Sequence, residues 1–371
     1  MQATKPRTVS SIGMFDLLKG VGMLTIVLVH TAELYSFEAV SGASLTTFFP
    51  FIYRESLMAA FYIASGYGFR KRSIGKCIGQ QCKSLLKPYL FTALATTALH
   101  FVIHYRSFGY LPGTLGESIK VLGGFALGLP HTSAYGGYTF FSCGPMWYLL
   151  ALLVGWVLLD IILNIFPEGY QPWAVLSVML LGWGTCLAWE LPFCLSQGMV
   201  ILPYLYIGFI AKKQRLFERA FSAREGLLLA AAFAAVAAGA LVTRSTDCVS
   251  LGTWTMGPVS ILLDGVVGYG LIALFLRWNR GQGALVSVLE SVGRRSLYIF
   301  CVHTVELIAI PWYLLAERFT AHPAAGIALQ YAISLVSILL VCELLLRRRE
   351  WRMRLLPARK HPAAKRSVSK H

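Results

Sequence analysis

Long apolar blocks recur along the chain from residue 13 to residue 346, separated by short polar or basic stretches. Several reach or approach the roughly 20 residues that a helix needs to cross a ~30 Å hydrocarbon core. Ten can be drawn: 13–32, 46–69, 88–104, 145–166, 172–190, 192–211, 225–243, 252–276, 296–316 and 326–346. The second is interrupted by Arg54-Glu55, and the fifth and sixth are nearly continuous. If those two formed one re-entrant unit, every later span would invert. The pattern predicts an all-α polytopic membrane protein, a bundle of about ten transmembrane helices, rather than a soluble domain with an anchor.

Charge tests that count. With the N-terminus inside, 27 of the 33 Lys and Arg residues fall in inner segments. Outer loops hold only Arg106, Lys120, Arg244 and Arg318, while Lys19 and Arg54 lie within spans. Such asymmetry predicts an even number of spans and both termini in the cytoplasm. It also accounts for the net charge of +16 as anchoring charge beside anionic lipid. No folded basic module stands out that would bind nucleic acid. Residues 1–346 read as one membrane domain, and the basic stretch 347–371, with Pro357 and Pro362, reads as a disordered cytoplasmic tail. The first apolar run lacks a small-residue cleavage site and carries Asp16 and Lys19, so it is expected to remain as a span.

Only 13% of residues are charged, against about a quarter in a soluble domain. The eight cysteines show no Cys-x-x-Cys pair, which argues against metal binding through cysteine. Cys143 and Cys248 both fall near outer segments and could form a disulfide. The longest outer segment, 105–144, is rich in Gly, Ser, Tyr and Pro, and its aromatics suit an ordered cover over an outward-facing cavity. No internal repeat stands out.

Ionisable side chains within spans are costly and mark a function or a buried partner. The first span carries four. Lys19 and His30 are eleven residues apart, close to three helical turns, so they share one face about 16 Å apart along the axis. Asp16 and Glu33 fall in the same ~100° sector. Snorkelling of Lys19 and its pairing with Asp16 would be a sufficient structural reading for those two. It does not cover His30, which lies too deep to snorkel and is followed one turn on by Glu33. An imidazole beside a carboxylate is the usual equipment of a general base near neutral pH.

The ninth span opens on Val292-Gly-Arg-Arg-Ser-Leu-Tyr298 and reaches His303 two turns deeper than Ser296. Arg294, Arg295 and Ser296 sit at a helix start, where free N–H groups and the dipole favour phosphate. The same residues also fit plain anchoring charge with a Ser N-cap. His303 faces a cavity or makes a structural hydrogen bond. Arg54-Glu55 is readable as an ion pair at the outer rim, and Met146-Trp147-Tyr148 as an interfacial aromatic belt. His100 and His104 have i, i+4 spacing without a third ligand.

These stretches resemble the acyltransferase-3 family of integral membrane O-acyltransferases. Asp16-Leu-Leu-Lys-Gly-Val-Gly-Met-Leu-Thr-Ile-Val-Leu-Val-His30 resembles its first-helix signature of a basic residue, ten residues, then His. Phe61-Tyr-Ile-Ala-Ser-Gly-Tyr67 before Arg70-Lys71-Arg72, Met146-Trp147-Tyr148-Leu149-Leu150, and Gly293-Arg-Arg-Ser-Leu-Tyr298 with His303 resemble three further motifs in the family's order. The resemblance covers roughly residues 13–345. It implies transfer of an acyl group, commonly acetyl from acetyl-CoA as co-substrate, to a hydroxyl of a cell-envelope glycan or lipid-linked sugar at the bacterial plasma membrane. No permanently bound cofactor or metal is implied.

Carried over, His30 is the catalytic histidine, assisted by Glu33, and Lys19 takes the basic position where many members have Arg. Lysine keeps the charge but lacks the bidentate fork of arginine. Arg70, Arg72, Arg294, Arg295 and Ser296 are expected to hold the CoA phosphates. Asp16, Arg54, Trp147, Tyr298 and His303 are expected around the substrate. Two other readings compete: a transporter or flippase using the same polar stripe as a relay, and a serine-supplying membrane subunit of a racemase system. The first lacks paired Gly/Pro-broken helices in corresponding halves; the second would need a separate soluble partner.

Overall fold

Among the described residues the apolar blocks fold mainly as helices. A computed structural model describes residues 12–35, 52–189, 191–219, 222–278 and 283–355. In chain order the helices are α1 (Asp16–Glu33), α2 (Arg54–Gly68), α3 (Ile74–Gln81), α4 (Lys87–Phe108), α5 (Leu111–Leu127), α6 (Trp147–Ile165), α7 (Gln171–Ala188), α8 (Leu195–Val200), α9 (Leu202–Lys213), α10 (Ala223–Thr243), α11 (Pro258–Trp278), α12 (Ala284–Arg294), α13 (Ser296–Ala309), α14 (Tyr313–Ala316) and α15 (Pro323–Leu355). A π turn over Cys82–Leu86 joins α3 to α4. One short hairpin, β1 (Ser133–Tyr135) and β2 (Tyr138–Phe140), pairs Ser133 with Phe140.

Among the described residues, seven helical segments are long and apolar enough to cross a membrane, and nine if each of two bent pairs counts as one span. α8 and α9 meet at 52°, and α13 meets α14 at 65°. The ten expected spans therefore need four adjustments, of which the α8–α9 bend within the sixth, drawn as 192–211, is one. The second, drawn as 46–69, is a 15-residue helix among the described residues, and 46–51 lie outside them. The ninth, drawn as unbroken over 296–316, breaks after Ala309, where Pro311 lacks an amide proton to continue the ladder. The third is far longer than 88–104, because α3, the π turn and α4 run on as one 35-residue segment. The fifth and sixth spans form an antiparallel hairpin, with Thr185 donating to Ser196 across it.

Residues 105–144 are more ordered than an irregular cover. Pro112 stands in the first turn of α5, where its missing N–H costs nothing. Of the glycines that hid this helix, Gly124 is there for contact: a Cβ on it would lie 1.8 Å from the Phe141 carbonyl oxygen. Helix α15 continues to Leu355, so residues 347–355 are helical rather than disordered. Glu343 and Arg347, four apart on α15, pair at 3.0 Å, and no Pro or Gly intervenes before Pro357. Cys143 and Cys248 are free thiols, so the disulfide does not form.

Two glycine crossings bring backbones together. Gly66 of α2 and Gly208 of α9 face each other's helices: a Cβ on Gly66 would lie 2.1 Å from Leu205 O, and one on Gly208 2.0 Å from Ile63 O. Gly20 of α1 and Gly293 of α12 do the same, at 1.9 Å from Leu289 O and 1.8 Å from Asp16 O. Close approach of this kind replaces the hydrophobic effect as the force between helices in lipid. Buried polar pairs add to it. Ser56 donates to Asp264 at 2.6 Å, fixing α2 to α11, and the Asp160 carboxylate accepts the Arg72 amide at 2.9 Å. These contacts give roles to embedded acids that have none in the linear sequence.

Candidate active site

Helix α1 sets the face on which everything else converges. Lys19 Nζ lies 2.8 Å from Asp16 Oδ1, and His30 Nδ1 lies 3.0 Å from Glu33 Oε2, each pair one turn apart. The carboxylate accepts, so in the neutral ring the proton sits on Nδ1 and Nε2 is the nitrogen left with a lone pair. Glu33 is itself held from across the bundle. Arg54 Nη1 donates to Glu33 Oε1 at 2.6 Å, while its Nε donates to Glu55 at 3.2 Å and its Nη2 to the Asp247 carbonyl at 3.3 Å. The expected Arg54–Glu55 pair forms, and it is the lesser part of what Arg54 does.

A second histidine stands beside the first. The rings of His30 and His303 are 5.7 Å apart between centroids. His303 is buried on α13, its Nδ1 3.2 Å from Glu306 Oε2, and Ser334 of α15 donates to Glu306 Oε1 at 2.7 Å. The two dyads share a local sequence. Val29-His-Thr-Ala-Glu-Leu34 and Val302-His-Thr-Val-Glu-Leu307 agree at five of six positions. Both threonines bond back one turn, Thr31 to the Val27 carbonyl and Thr304 to that of Phe300. This repeat is present in the sequence but too short to register against the apolar background, and only the packing of α1 beside α13 gives it meaning.

Two cavities lie in succession along α1, and the second is lined by His30. One, of about 350 Å³, is lined by Lys19, Ser65, Gly68, Tyr148, Trp156 and Ser296 among others. The other, of about 280 Å³, is lined by His30, Glu33, Arg54, Glu55, Trp147 and Cys248 among others. Ile26, Met58 and Phe300 line both and form the partition between them. We call them the Lys19 cavity and the His30 cavity. Burial pushes the Cys248 thiol above its usual range.

The expected residues divide accordingly. Lys19 and Ser296 line the Lys19 cavity; His30, Glu33, Arg54 and Trp147 line the His30 cavity. Arg70 and Arg72 follow Gly68 at the mouth of the Lys19 cavity in sequence, as Arg294 and Arg295 precede Ser296. Arg295 pairs with Glu343 at 2.9 Å, and Arg294 with Glu290 at 3.8 Å. Asp16 and Tyr298 line neither cavity, and His303 reaches the site through the His30 ring. Sequence reasoning missed Met58 and Phe300, whose apolar side chains give no chemical signal until the partition is seen.

The bridge from His30 through Glu33 to Arg54 carries a prediction. Glu33→Gln removes the charge that both neighbours use while keeping the shape. Turnover is expected to fall by about tenfold to a hundredfold, with donor affinity unchanged, since the carboxylate holds the His30 imidazole and does not line the Lys19 cavity. Steady-state kinetics with both substrates varied checks it. An unchanged kcat means that the bridge is architecture alone.

No curated protein and no solved structure matches the chain. The family model described as an acyltransferase domain does, over residues 12–347, nearly the whole length and all of the helices that build the two cavities. By that match the chain belongs to the acyltransferase-3 family of membrane acyltransferases.

Proposed function

We propose that this acyltransferase moves an acetyl group from acetyl-CoA to a hydroxyl of an envelope glycan or related sugar, with His30 as general base. The observation that carries the reading is the meeting of the two cavities at Ile26, Met58 and Phe300, with the oriented imidazole just beyond. The donor enters the Lys19 cavity. Its phosphates rest on Arg70, Arg72, Arg294 and Arg295 and its thioester reaches the partition. The acceptor hydroxyl enters the His30 cavity. His30 Nε2 takes its proton, the oxygen attacks the thioester carbonyl, and the carbon–sulfur bond breaks. The CoA thiolate then recovers the proton from the imidazolium, so atoms and charge balance.

In this scheme the basic end of the bundle faces the cytoplasm and the Glu33 end faces outward across the bacterial plasma membrane. The test is transfer of labelled acetyl from acetyl-CoA to an envelope extract by the full chain in nanodiscs. Labelled product supports the reading, and absence of both CoA binding and turnover in every lipid overturns it. Product formed when the acceptor is confined to the CoA side overturns the orientation.

Phe300 also limits what can cross. Its ring lines both cavities, and Phe300→Ala removes most of one side of the partition. A methylene in an apolar pocket is worth about 1–3 kcal/mol in discrimination, or roughly 10–200-fold. Phe300→Ala is therefore expected to raise butyryl-CoA use relative to acetyl-CoA by about tenfold or more. An unchanged ratio between the two donors means that chain length is set elsewhere.

A further inference from the structure

A third cavity, of about 770 Å³, lies at the Glu33 end of α1 and shares no residue with the other two. It is framed by α4, α5 and the turn into α14. Tyr110, Trp312 and Tyr313 contribute aromatic rings, and His100, His104 and Glu117 contribute polar groups. The polar groups are built in, not incidental. His100 is 4% exposed, its Nδ1 is 2.9 Å from Ser118 Oγ, and its ring stacks on His104 at 3.8 Å. Trp312 is 8% exposed, and its indole N–H has no partner among the described residues.

The cavity is joined to the active site by short rigid links. Leu34 and Leu307 line it, and each follows the glutamate of a His–Glu dyad. Four residues of helix place it about 6 Å beyond the His30–His303 pair along those axes. The turn from Ser142 to Pro145 lines both spaces, Ser142 here and Pro145 in the His30 cavity.

The chemistry of the lining selects the ligand. Among the described lining residues Glu117 is the only formal charge, and Lys120 pairs with it at 2.8 Å. Phosphate finds no cation cluster here, and a quaternary ammonium finds its carboxylate already neutralised. Aromatic rings interleaved with imidazoles and hydroxyls instead suit a polyhydroxylated ring, whose C–H face stacks while its hydroxyls bond at the edge. The volume lies within the ~300–1,000 Å³ usual for such pockets. We infer that this cavity binds the sugar of the acceptor and holds it so that one hydroxyl reaches His30. Along α5 beside it, Leu111, Leu115, Ile119 and Leu122 are exposed at helical spacing, an apolar rail that suits a sugar carried on a lipid.

The inference rests on the acyl-transfer reading for its role, but its binding arm does not. Saturation-transfer NMR of the full chain in nanodiscs, against a panel of short neutral oligosaccharides with choline alongside, is expected to mark the C–H face of a saccharide. Tyr110→Ala and Tyr313→Ala alter exposed rings, and each is expected to weaken that binding by about tenfold. In the transfer assay the same variants should raise the half-saturating concentration of extract by a similar factor, with kcat and the KM for acetyl-CoA unchanged. Comparing native with delipidated extract tells a lipid-linked sugar from a free one; preference for either keeps the saccharide. No saturation from any saccharide, binding of choline alone, or both variants behaving as wild type overturns the inference. Saccharide binding without any acetyl transfer by wild type removes the acyl-transfer reading and leaves the site standing.

Discussion

His30→Ala is expected to lower acetyl transfer by about 10²–10⁴, the range in which a positioned general base contributes. The fold should survive, because the His30 side chain is 27% exposed and its bonded partner is one turn away on the same helix. Glu33 would keep Arg54, so the bridge between α1 and α2 persists without the imidazole. Donor binding should also persist, since His30 lines only the cavity beyond the partition. The measurement is transfer of labelled acetyl alongside CoA binding and a size-exclusion profile, in the same nanodiscs. A variant that binds CoA, elutes as wild type and transfers at the wild-type rate ends the case for His30.

The second large effect is on assembly. Gly66→Leu is expected to give no folded protein, and Gly66→Ala a clear loss of thermal stability. The atoms that a side chain would meet are the backbone of Leu205, which cannot rotate away as a side chain would. Overpacking costs about 1–3 kcal/mol even where neighbours adjust, and more where they cannot. Gly208→Ala should do the same from the other helix. Gly79→Ala is the matched control, because nothing lies within 4 Å of the added atom. Fluorescence-detected size exclusion after a heating series reads all three. Equal midpoints for Gly66→Ala and Gly79→Ala rule the crossing out as a stabilising contact.

Much of this architecture was legible because lipid imposes simple rules. Spans follow from apolar length, and the shared face of Lys19, His30 and Glu33 follows from helical period alone. What lay hidden was of two kinds. Helix α5 was masked by Gly113, Gly116, Gly123 and Gly124, which lower local propensity, and Gly124 is required by the close approach of the Phe141 backbone. The break after Ala309 lay inside an unbroken apolar run, where only Pro311 gave a hint. The other hidden features are contacts between distant helices. Arg54 reads as the partner of its neighbour Glu55 until α2 is seen beside α1. His303 reads as an isolated histidine until its ring is found against His30, and Phe300 and Met58 read as lipid-facing or core positions until they are seen between two cavities.

The contact between α1 and the helices near the other end of the chain also sets a schedule. His303 is made 273 residues after His30, and Gly293 the same number after Gly20. At ~5–20 residues per second on the ribosome, that interval is roughly 14–55 s. During it, α1 sits in the membrane with its ionisable stripe facing whatever has already been inserted. Arg54 follows Glu33 by only 21 residues. The Arg54–Glu33 pair can neutralise that charge early, long before the second histidine exists. The newborn chain is thus tolerable to the bilayer and chemically silent, and it becomes an enzyme only when its last helices close against its first.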